Sequence, residues 1–544
     1  MDKTRSQGKG KRTLVNLLIT LAIGLVYFYF KLPALNLQDP AFYTFILLLS
    51  AVYCFLSIMT QGLFKAESGH ELWKSIKTHC AIPVFICLLL AAVFVVGSLI
   101  SSPIIRSHSY RNLLTVETGD FAAEVQEVSY NQIPMLDADS AKKLGDKKMG
   151  ELADMVSQFE VADDYTQINY KGRPVRVTPL LYGDFFKWIT NRSEGLPAYI
   201  VIDMVTQEAN AVRLSEGMKY TTNEHFFRNV YRHLRFNYPT FIFDTVNFEI
   251  DDEGTPYWVC PRIVKKIGLF GGTDIDGAVL LNAVTGECKF YEEVPNWVDR
   301  VYTASLIMRQ YDYHGMYQNG WVNSFIGQRD VTITTEGYNY IAKDDDVYMY
   351  TGITSVNMDG SNIGFILTNQ RTKETRFYSC AGAQEIAAMA SAEGIVQYTD
   401  YKSTFPLLLN ISNQPTYFMA LKDSGGLVKM YAMVNVEQYQ LVASGTSVAE
   451  CERNYVNLLA GSNLADESEN ASTAVTGFIE DIRTAVIDGN THVFIRLDAN
   501  DYYYVISVKD SDLAVVLSKG DKVEISPSSG KGELRNAYSV KRAK

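Results

Sequence analysis

The sequence predicts a membrane anchor of three transmembrane helices, then extracytoplasmic α+β repeats of one helix plus two β-hairpins each, and last a small C-terminal β-barrel. Three observations predict this. Residues 1–105 contain three apolar runs without a charged side chain. One hairpin pattern then recurs at spacings of 79 and 87 residues. Short strands separated by turn residues fill 474–540.

The chain has 544 residues, room for several domains. Its formal net charge is −11. Residues 1–105 hold nine Lys/Arg and four Asp/Glu, a net +5, which leaves −16 for the remainder. A surface that acidic repels phosphate backbones, so nucleic acid is not an expected partner. Seven cysteines, with no CxxC and no Cys/His metal spacing, exclude a disulfide-built fold. One bridge, Cys260 with Cys288, is left open.

The apolar runs are 13–30, 41–60 and 80–105, each close to the ~20 residues that cross a bilayer as helix. Their charges sit at the joints. A cleaved signal peptide does not fit the first run, because no small-x-small site follows and a second run comes at once. Lys3, Arg5, Lys9, Lys11 and Arg12 precede the first run. Lys65, Lys74 and Lys77 lie between the second and third, and only Lys31 between the first and second. The positive-inside rule then predicts a multi-pass cell-membrane protein with a cytoplasmic N-terminus and an extracytoplasmic C-terminal part, although Arg106 and Arg111 argue the other way. The absence of Asp, Glu, Lys, Arg and His from the runs favours an anchor over a transporter. Gly24, Ala51 and Gly97 are small residues that would allow partner helices to approach, though they form no GxxxG pair.

The repeated pattern is YIVIDMVTQE at 199–208, AVLLNAVTGE at 278–287 and FILTNQRTKE at 365–374. Each is an apolar strand, then Asp or Asn-x-x-Thr-x-Glu, then a second strand. Asp or Asn opens such a turn by bonding its own backbone, and Thr supports it. A helix and a first hairpin precede each. In unit 1 the helix is placed at 140–159, with Met149, Leu152, Val156 and Phe159 on one face, and the hairpin turns at Lys171-Gly172. In unit 2 Thr222 or Asn223 caps a helix carrying Phe226, Phe227, Val230, Tyr231 and Leu234, and the hairpin turns at 251–254. In unit 3 the helix is near 301–312 and the hairpin turns around 344–346, after an insertion at 313–337. A divergent unit 4 has an Ala-rich helix at 383–393, a turn at 423–426 and a closing helix at 447–460, with Ser447 and Glu450 in a capping box. The division is 1–105 anchor, 106–216, 217–298, 299–380 and 381–461 for the four units, and 462–544 for a linker and the barrel.

Helix, hairpin, hairpin with this turn resembles the PepSY type of extracytoplasmic domain, best in Val284-Thr-Gly-Glu287. Units 1 and 3 have Gln207 and Lys373 where that pattern has Gly. The resemblance implies envelope modules that bind or restrain other proteins, peptidases among them. The whole chain also resembles three-span membrane proteins of Gram-positive-type bacteria, which implies no activity. In the C-terminal part the stretch KGDKVEI at 519–525 is similar to its counterpart in OB-type barrels, whose one face takes oligonucleotides or oligosaccharides. The run Tyr502-Tyr503-Tyr504 either packs the barrel or stacks on a ring ligand.

No catalytic, cofactor or metal site is assigned, and no cofactor is expected. His225 and His233 form no HExxH. Asp274 with Asp276, and Asp344 to Asp346, are acid-rich turns that do not continue into an EF-hand loop. Cys260, Cys288, Cys380 and Cys451 read as buried inert thiols, and Trp258, Trp297 and Trp321 as packing residues. The functional expectation is a non-enzymatic binding or scaffold protein of the cell envelope. Its partners would be the lipid bilayer, an envelope protein and, at the barrel, a glycan. The alternative is an enzyme acting on envelope glycan or peptide, with Asp251, Asp252 and Glu253 as its only candidate carboxylates.

Overall fold

A computed structural model describes residues 2–63, 69–127, 133–343, 345–356, 361–462, 474–487, 490–508, 511–527 and 533–543. The N-terminal part is three helices, Asp2–Lys31, Pro40–Ser57 and Gly69–Ile100. Within this part, Lys11–Lys31, Pro40–Thr60 and Lys77–Ile100 are long and apolar enough to cross a membrane. Asp39 caps the second helix by accepting from the Ala41 N–H at 2.9 Å. The third ends at Ile100, five residues short of the apolar run. Ser102 caps a separate helix, Pro103–Arg111, with Pro at its first position, which starts a new element where hydropathy alone continues the old one.

Four sheets follow, three of five strands and one of six, and all four share one five-strand pairing order. Two short strands pair end to end along one long strand, which pairs with a second long strand, which pairs with the last. In unit 1 these are Phe159–Val161, Thr166–Tyr170, Arg173–Tyr182, Leu196–Asp203 and Ala209–Met218. In unit 2 they are Ile242–Phe243, Asn247–Ile250, Pro256–Ile267, Gly271–Asn282 and Cys288–Tyr291. Unit 3 has Thr332–Thr334, Asn339–Lys343, Asp346–Ser355, Ser361–Asn369 and Thr375–Ala383. Unit 4 has Lys402–Ser403, Leu407–Ile411, Gln414–Lys422, Val428–Asn435 and Val442–Gly445. The first strand of each, two or three residues long, is too short to leave a period in the sequence. Val116–Gly119, within the stretch assigned to unit 1, instead pairs in parallel with Thr375–Ala383 and makes unit 3 six-stranded.

The turn that marks each unit closes alike. Asp203 Oδ1 accepts from the N–H groups of Val205 and Thr206, both at 2.8 Å. Asn282 does so from Val284 and Thr285 at 2.9 Å, and Asn369 from Arg371 and Thr372 at 2.8 and 3.0 Å. The residue in the Gly place has positive φ in all three, 62° at Gln207, 80° at Gly286 and 66° at Lys373. In unit 4 the counterpart is Asn435, whose Oδ1 accepts from Gln438 N–H at 2.8 Å across a longer turn, so no Asn-x-x-Thr signature marks it. The residue after each Asx donates to the start of the first long strand, namely Met204 to Pro174, Ala283 to Pro256, Gln370 to Val347 and Val436 to Pro415, at 3.0–3.1 Å.

The helices differ from their expected bounds for local reasons. Unit 1's helix is Ala138–Gly150, and Phe159 opens a strand. Unit 2's is Val230–Asn237, capped by Asn229, because Glu224 is drawn away to Tyr182 and Trp188 and leaves Phe226 and Phe227 in a preceding 3-10 turn. Units 3 and 4 have Ala304–Met316 and Glu385–Ile395. In the closing helix Val448–Gly461, Ser447 Oγ accepts from Glu450 N–H at 3.2 Å, while Glu450 bonds Thr446 rather than Ser447.

Units 1 and 2 share one apolar core, around Tyr199, Phe248, Trp258 and Leu281. Units 3 and 4 share a second, around Tyr350, Phe365, Tyr417 and Tyr455. The units thus pack as a compact bundle of two pairs. Last comes a closed barrel in the order Val475–Ile487, Asn490–Leu497, Tyr503–Ser507, Leu534–Arg542 and Lys522–Pro527, with the third and fourth of these parallel. Tyr538 of the barrel is buried in the core of units 3 and 4.

Candidate functional site

Two places concentrate polar chemistry. The first is the seam between the two pairs of units. The second strands of units 1, 2 and 3 meet there, which brings Gln167, Asn169, Glu249 and Tyr340 together with Asp299 and Arg300 from the connection into unit 3. Glu249 is fully buried and accepts from the N–H groups of Asp299 at 2.8 Å and Arg300 at 3.0 Å. Asp299 Oδ2 accepts from Asn169 N–H at 2.6 Å. Arg300 donates to the Tyr340 hydroxyl at 2.9 Å. Burial pushes the Glu249 carboxyl up to about 7 against those two N–H donors. Burial also raises Asp299 well above the usual carboxylate range, and the neighbouring Glu249 adds to it. Their role is to join units, since every donor that reaches them comes from the seam itself. Sequence patterning had no means of finding them, because each lies on a different unit.

The second place is the outer wall of the barrel. Tyr504 faces inward and is 1% exposed. Tyr503 faces outward, and its hydroxyl donates to Asp481 at 2.5 Å while Arg483 and Arg496 stand over its ring at 5.4 and 5.5 Å. Arg535 covers Tyr502 at 3.7 Å. The tyrosine run is therefore split between core and surface. The surface rings already carry guanidinium groups, so a ring ligand would have to displace Arg535. The wall sets Arg side chains beside aromatic faces, with Arg483 paired to Asp481 at 2.8 Å and Arg496 to Glu480 at 3.4 Å, a mixed polar surface suited to hydroxyl-rich groups.

Asp274, Asp276, Asp346, Asp251, His225 and His233 each have partners. Asp274, 1% exposed, is held by Lys373 at 2.7 Å, Lys266 at 2.6 Å and Gln310 at 3.0 Å. Burial raises its carboxyl, but the two lysines hold it below the usual range. Asp276 pairs with Arg262 at 3.5 Å. Arg371 grips Asp346 with two bonds of 2.7 Å, and Asp344 lies outside the described residues. Asp251 accepts from Glu253 and Thr255 N–H and closes a turn. His225 meets the stacked Phe185 and Trp188 rings edge-on, and His233 Nε2 is 2.8 Å from the Gly286 carbonyl oxygen. No group of three or more His, Cys, Asp or Glu placed to hold a metal occurs among the described residues.

Cys260 and Cys288 are free thiols on strands that flank Gly271–Asn282 on opposite sides, and burial pushes Cys288 up to about 12 and Cys260 well up. Cys380 is likewise raised to about 12 by burial. Trp258 is in the core and donates to the Tyr220 carbonyl, Trp297 packs on Tyr257, and Trp321 packs on Phe325.

The anchor and the sheets are joined by direct contacts. Leu269-Phe270, the tip of unit 2's long hairpin, reaches the end of the third span. Ser101 Oγ accepts from their N–H groups at 2.9 and 3.0 Å, and the Phe270 ring meets Phe94 and Tyr43 at 5.1 and 5.8 Å. Gly97 makes the room, since a Cβ there would come within 2.8 Å of Phe270. Gly24 faces Leu49 of the second span in the same way. Arg235 donates to the Leu32 carbonyl at 3.0 Å and Asn36 to that of Thr240 at 2.9 Å. No protein-family model matches the chain, and no curated protein matches it.

Proposed function

We propose that the chain is a membrane-anchored extracytoplasmic binding and scaffold protein of the bacterial cell envelope, which restrains or organises another envelope protein. The observation that carries this reading is the set of four sheets with one pairing order, locked pairwise and bonded to the ends of the membrane helices. Such a body offers a large, rigid area rather than one cleft. The four units read as PepSY-like modules, a type that binds or restrains other proteins. The barrel reads as OB-like from its strand order, and its Arg-lined wall is the surface for a glycan. Orientation follows the positive-inside reading, with the N-terminus in the cytoplasm. Protease added to intact cells tests that orientation, and a head that survives untouched would reverse it.

In-cell crosslinking of the tagged full-length protein, followed by identification of captured proteins, tests the function. One recurrent envelope protein, lost when residues 106–544 are deleted, is expected. Turnover of cell-wall material by the intact protein, with no such capture, would replace the scaffold reading with an enzymatic one.

A further inference from the structure

The sheet-bearing body carries two exposed apolar pads, and each adjoins the end of a membrane helix. The first is built by the helix Phe185–Asn191 and the turn Phe226–Arg228, where Phe186 is 78%, Phe227 60% and Phe226 57% exposed. The second is built by the helices Pro103–Arg111 and Gly320–Asn323 and the turn after them, where Ile326 is 73%, Phe325 65% and Ile105 63% exposed. Clusters of large apolar side chains left open in this way mark an interaction surface.

Their height is set by the spans. Tyr29, in the last turns of the first span, meets the edge of Phe227 at 5.6 Å, and Phe28 meets Phe236 at 5.7 Å. Arg232 stands 4.3 Å over the Tyr29 ring and donates to its carbonyl oxygen at 3.2 Å. In the second pad, Ile104 and Ile105 follow directly on the third span, and the helix Gly320–Asn323 packs on theirs. Both pads are therefore level with the ends of helices that cross the bilayer.

The pads are also held open. Buried Glu224 accepts from Trp188 Nε1 at 2.7 Å and from the Tyr182 hydroxyl at 2.9 Å, which fixes the helix under Phe185 and Phe186. Phe226 has φ 52°, a left-handed backbone that a bulky side chain rarely adopts, and its ring still points out. The charge of these segments is opposite to that of the rest. Residues 103–112, 184–192, 224–237 and 320–330 hold eight Lys/Arg and three Asp/Glu, of which Asp184 pairs with Lys187 at 3.5 Å and Glu224 is buried, in a body whose net charge is −16.

We propose that the two pads form an interfacial lipid-binding surface. Their Phe and Ile side chains enter the headgroup–acyl boundary of the leaflet next to the body, and Arg106, Lys187, Arg192 and Arg228 face lipid phosphates. Continuity with the span ends and the local positive charge fit a phospholipid surface with a preference for anionic headgroups. The body then stands on the membrane at a fixed tilt instead of swinging on a tether.

The test uses the full-length protein in lipid nanodiscs with a polarity-sensitive fluorophore on Phe186→Cys, Ile326→Cys or, as the distant control, Val515→Cys on the barrel, each read against the protein with no added cysteine. The 186 and 326 labels are expected to shift to the blue and to lose about half their emission when the discs contain lipid with a nitroxide near the headgroup, while the 515 label does neither. Anionic lipid should deepen the quenching relative to zwitterionic lipid. Labels at 186 and 326 that behave like the one at 515 would overturn the proposal. So would a blue shift without nitroxide quenching that appears only with two or more protein copies per disc, because a second copy would then be the occupant.

Discussion

Units 2 and 4 share a sheet order but use the same connection for opposite purposes. In unit 2 the two long strands run to twelve residues each, and their tip, Leu269-Phe270, docks under Ser101 and beside Gly97 of the third span. In unit 4 the corresponding strands have nine and eight residues, and their turn at 423–427 folds onto unit 1, where Lys143 donates to the Gly425 and Gly426 carbonyls and Lys422 pairs with Asp137. Unit 1 replaces the same connection with the helix that carries Phe185 and Phe186. One topology thus provides an apolar pad, a bolt to the anchor and an internal latch, because the loop between the long strands sits at the end of the sheet, where only Trp188 of unit 1 reaches a core, and is free to diverge.

The largest expected effect breaks the bolt. Phe270→Asp puts a carboxylate among Phe94, Tyr43 and Gly97 and should weaken the joint by about 3 kcal/mol, read as a broadened distance distribution between labels on the body and on the anchor. The counterpart in unit 4, Lys143→Ala, should leave that distribution unchanged.

A second comparison concerns the two marked turns that lack Gly. Lys373→Gly relieves the positive φ but strips buried Asp274 of one of its two lysines, so thermal unfolding should show a loss of about 2 kcal/mol. Gln207→Gly relieves a similar strain and gives up only a bond to Tyr431 of unit 4, so its effect should stay within about 1 kcal/mol of zero. If both behave alike, the non-Gly residues are not contacts between units.

A third sharpens the seam against the turns. Glu249 and Asp299 have raised pKa values when folded, so the folded protein holds their protons more tightly than the unfolded chain. Stability from this pair is fully present below the unfolded carboxylate range and is lost as pH rises towards about 7 for Glu249. Glu249→Gln should flatten that decline in a pH series of melting temperatures, and Asp203→Asn, in an exposed turn, should not.

The smallest effect separates the marked turns from the unmarked one. Asn282→Ala removes an acceptor from two N–H groups at a half-buried turn, whereas Asn435→Ala removes one such acceptor and also the buried Nδ2 donor to Tyr455 and Gln414, so chemical denaturation should register about 1 kcal/mol for the first and more for the second.

Local physics made much of this chain legible from its residues. A bilayer demands about twenty apolar residues in a row, and an Asx turn demands its acceptor and its positive-φ residue at set spacing, so three spans and three hairpins could be read directly. The fourth turn at Asn435 escaped because its longer loop keeps the acceptor but drops the Thr. The third span was read too long because hydropathy continues through Ile105 while the helix is ended by a cap at Ser102. What only the tertiary structure decided is which distant groups meet. The Glu249–Asp299 seam, the cations that occupy Asp274 and Asp346, the seat of Phe270 against Gly97, and the parallel pairing of Val116–Gly119 with unit 3 all join residues from different elements. Such contacts leave no period or spacing in a sequence, because their energy depends on burial and geometry that exist only once the chain is folded.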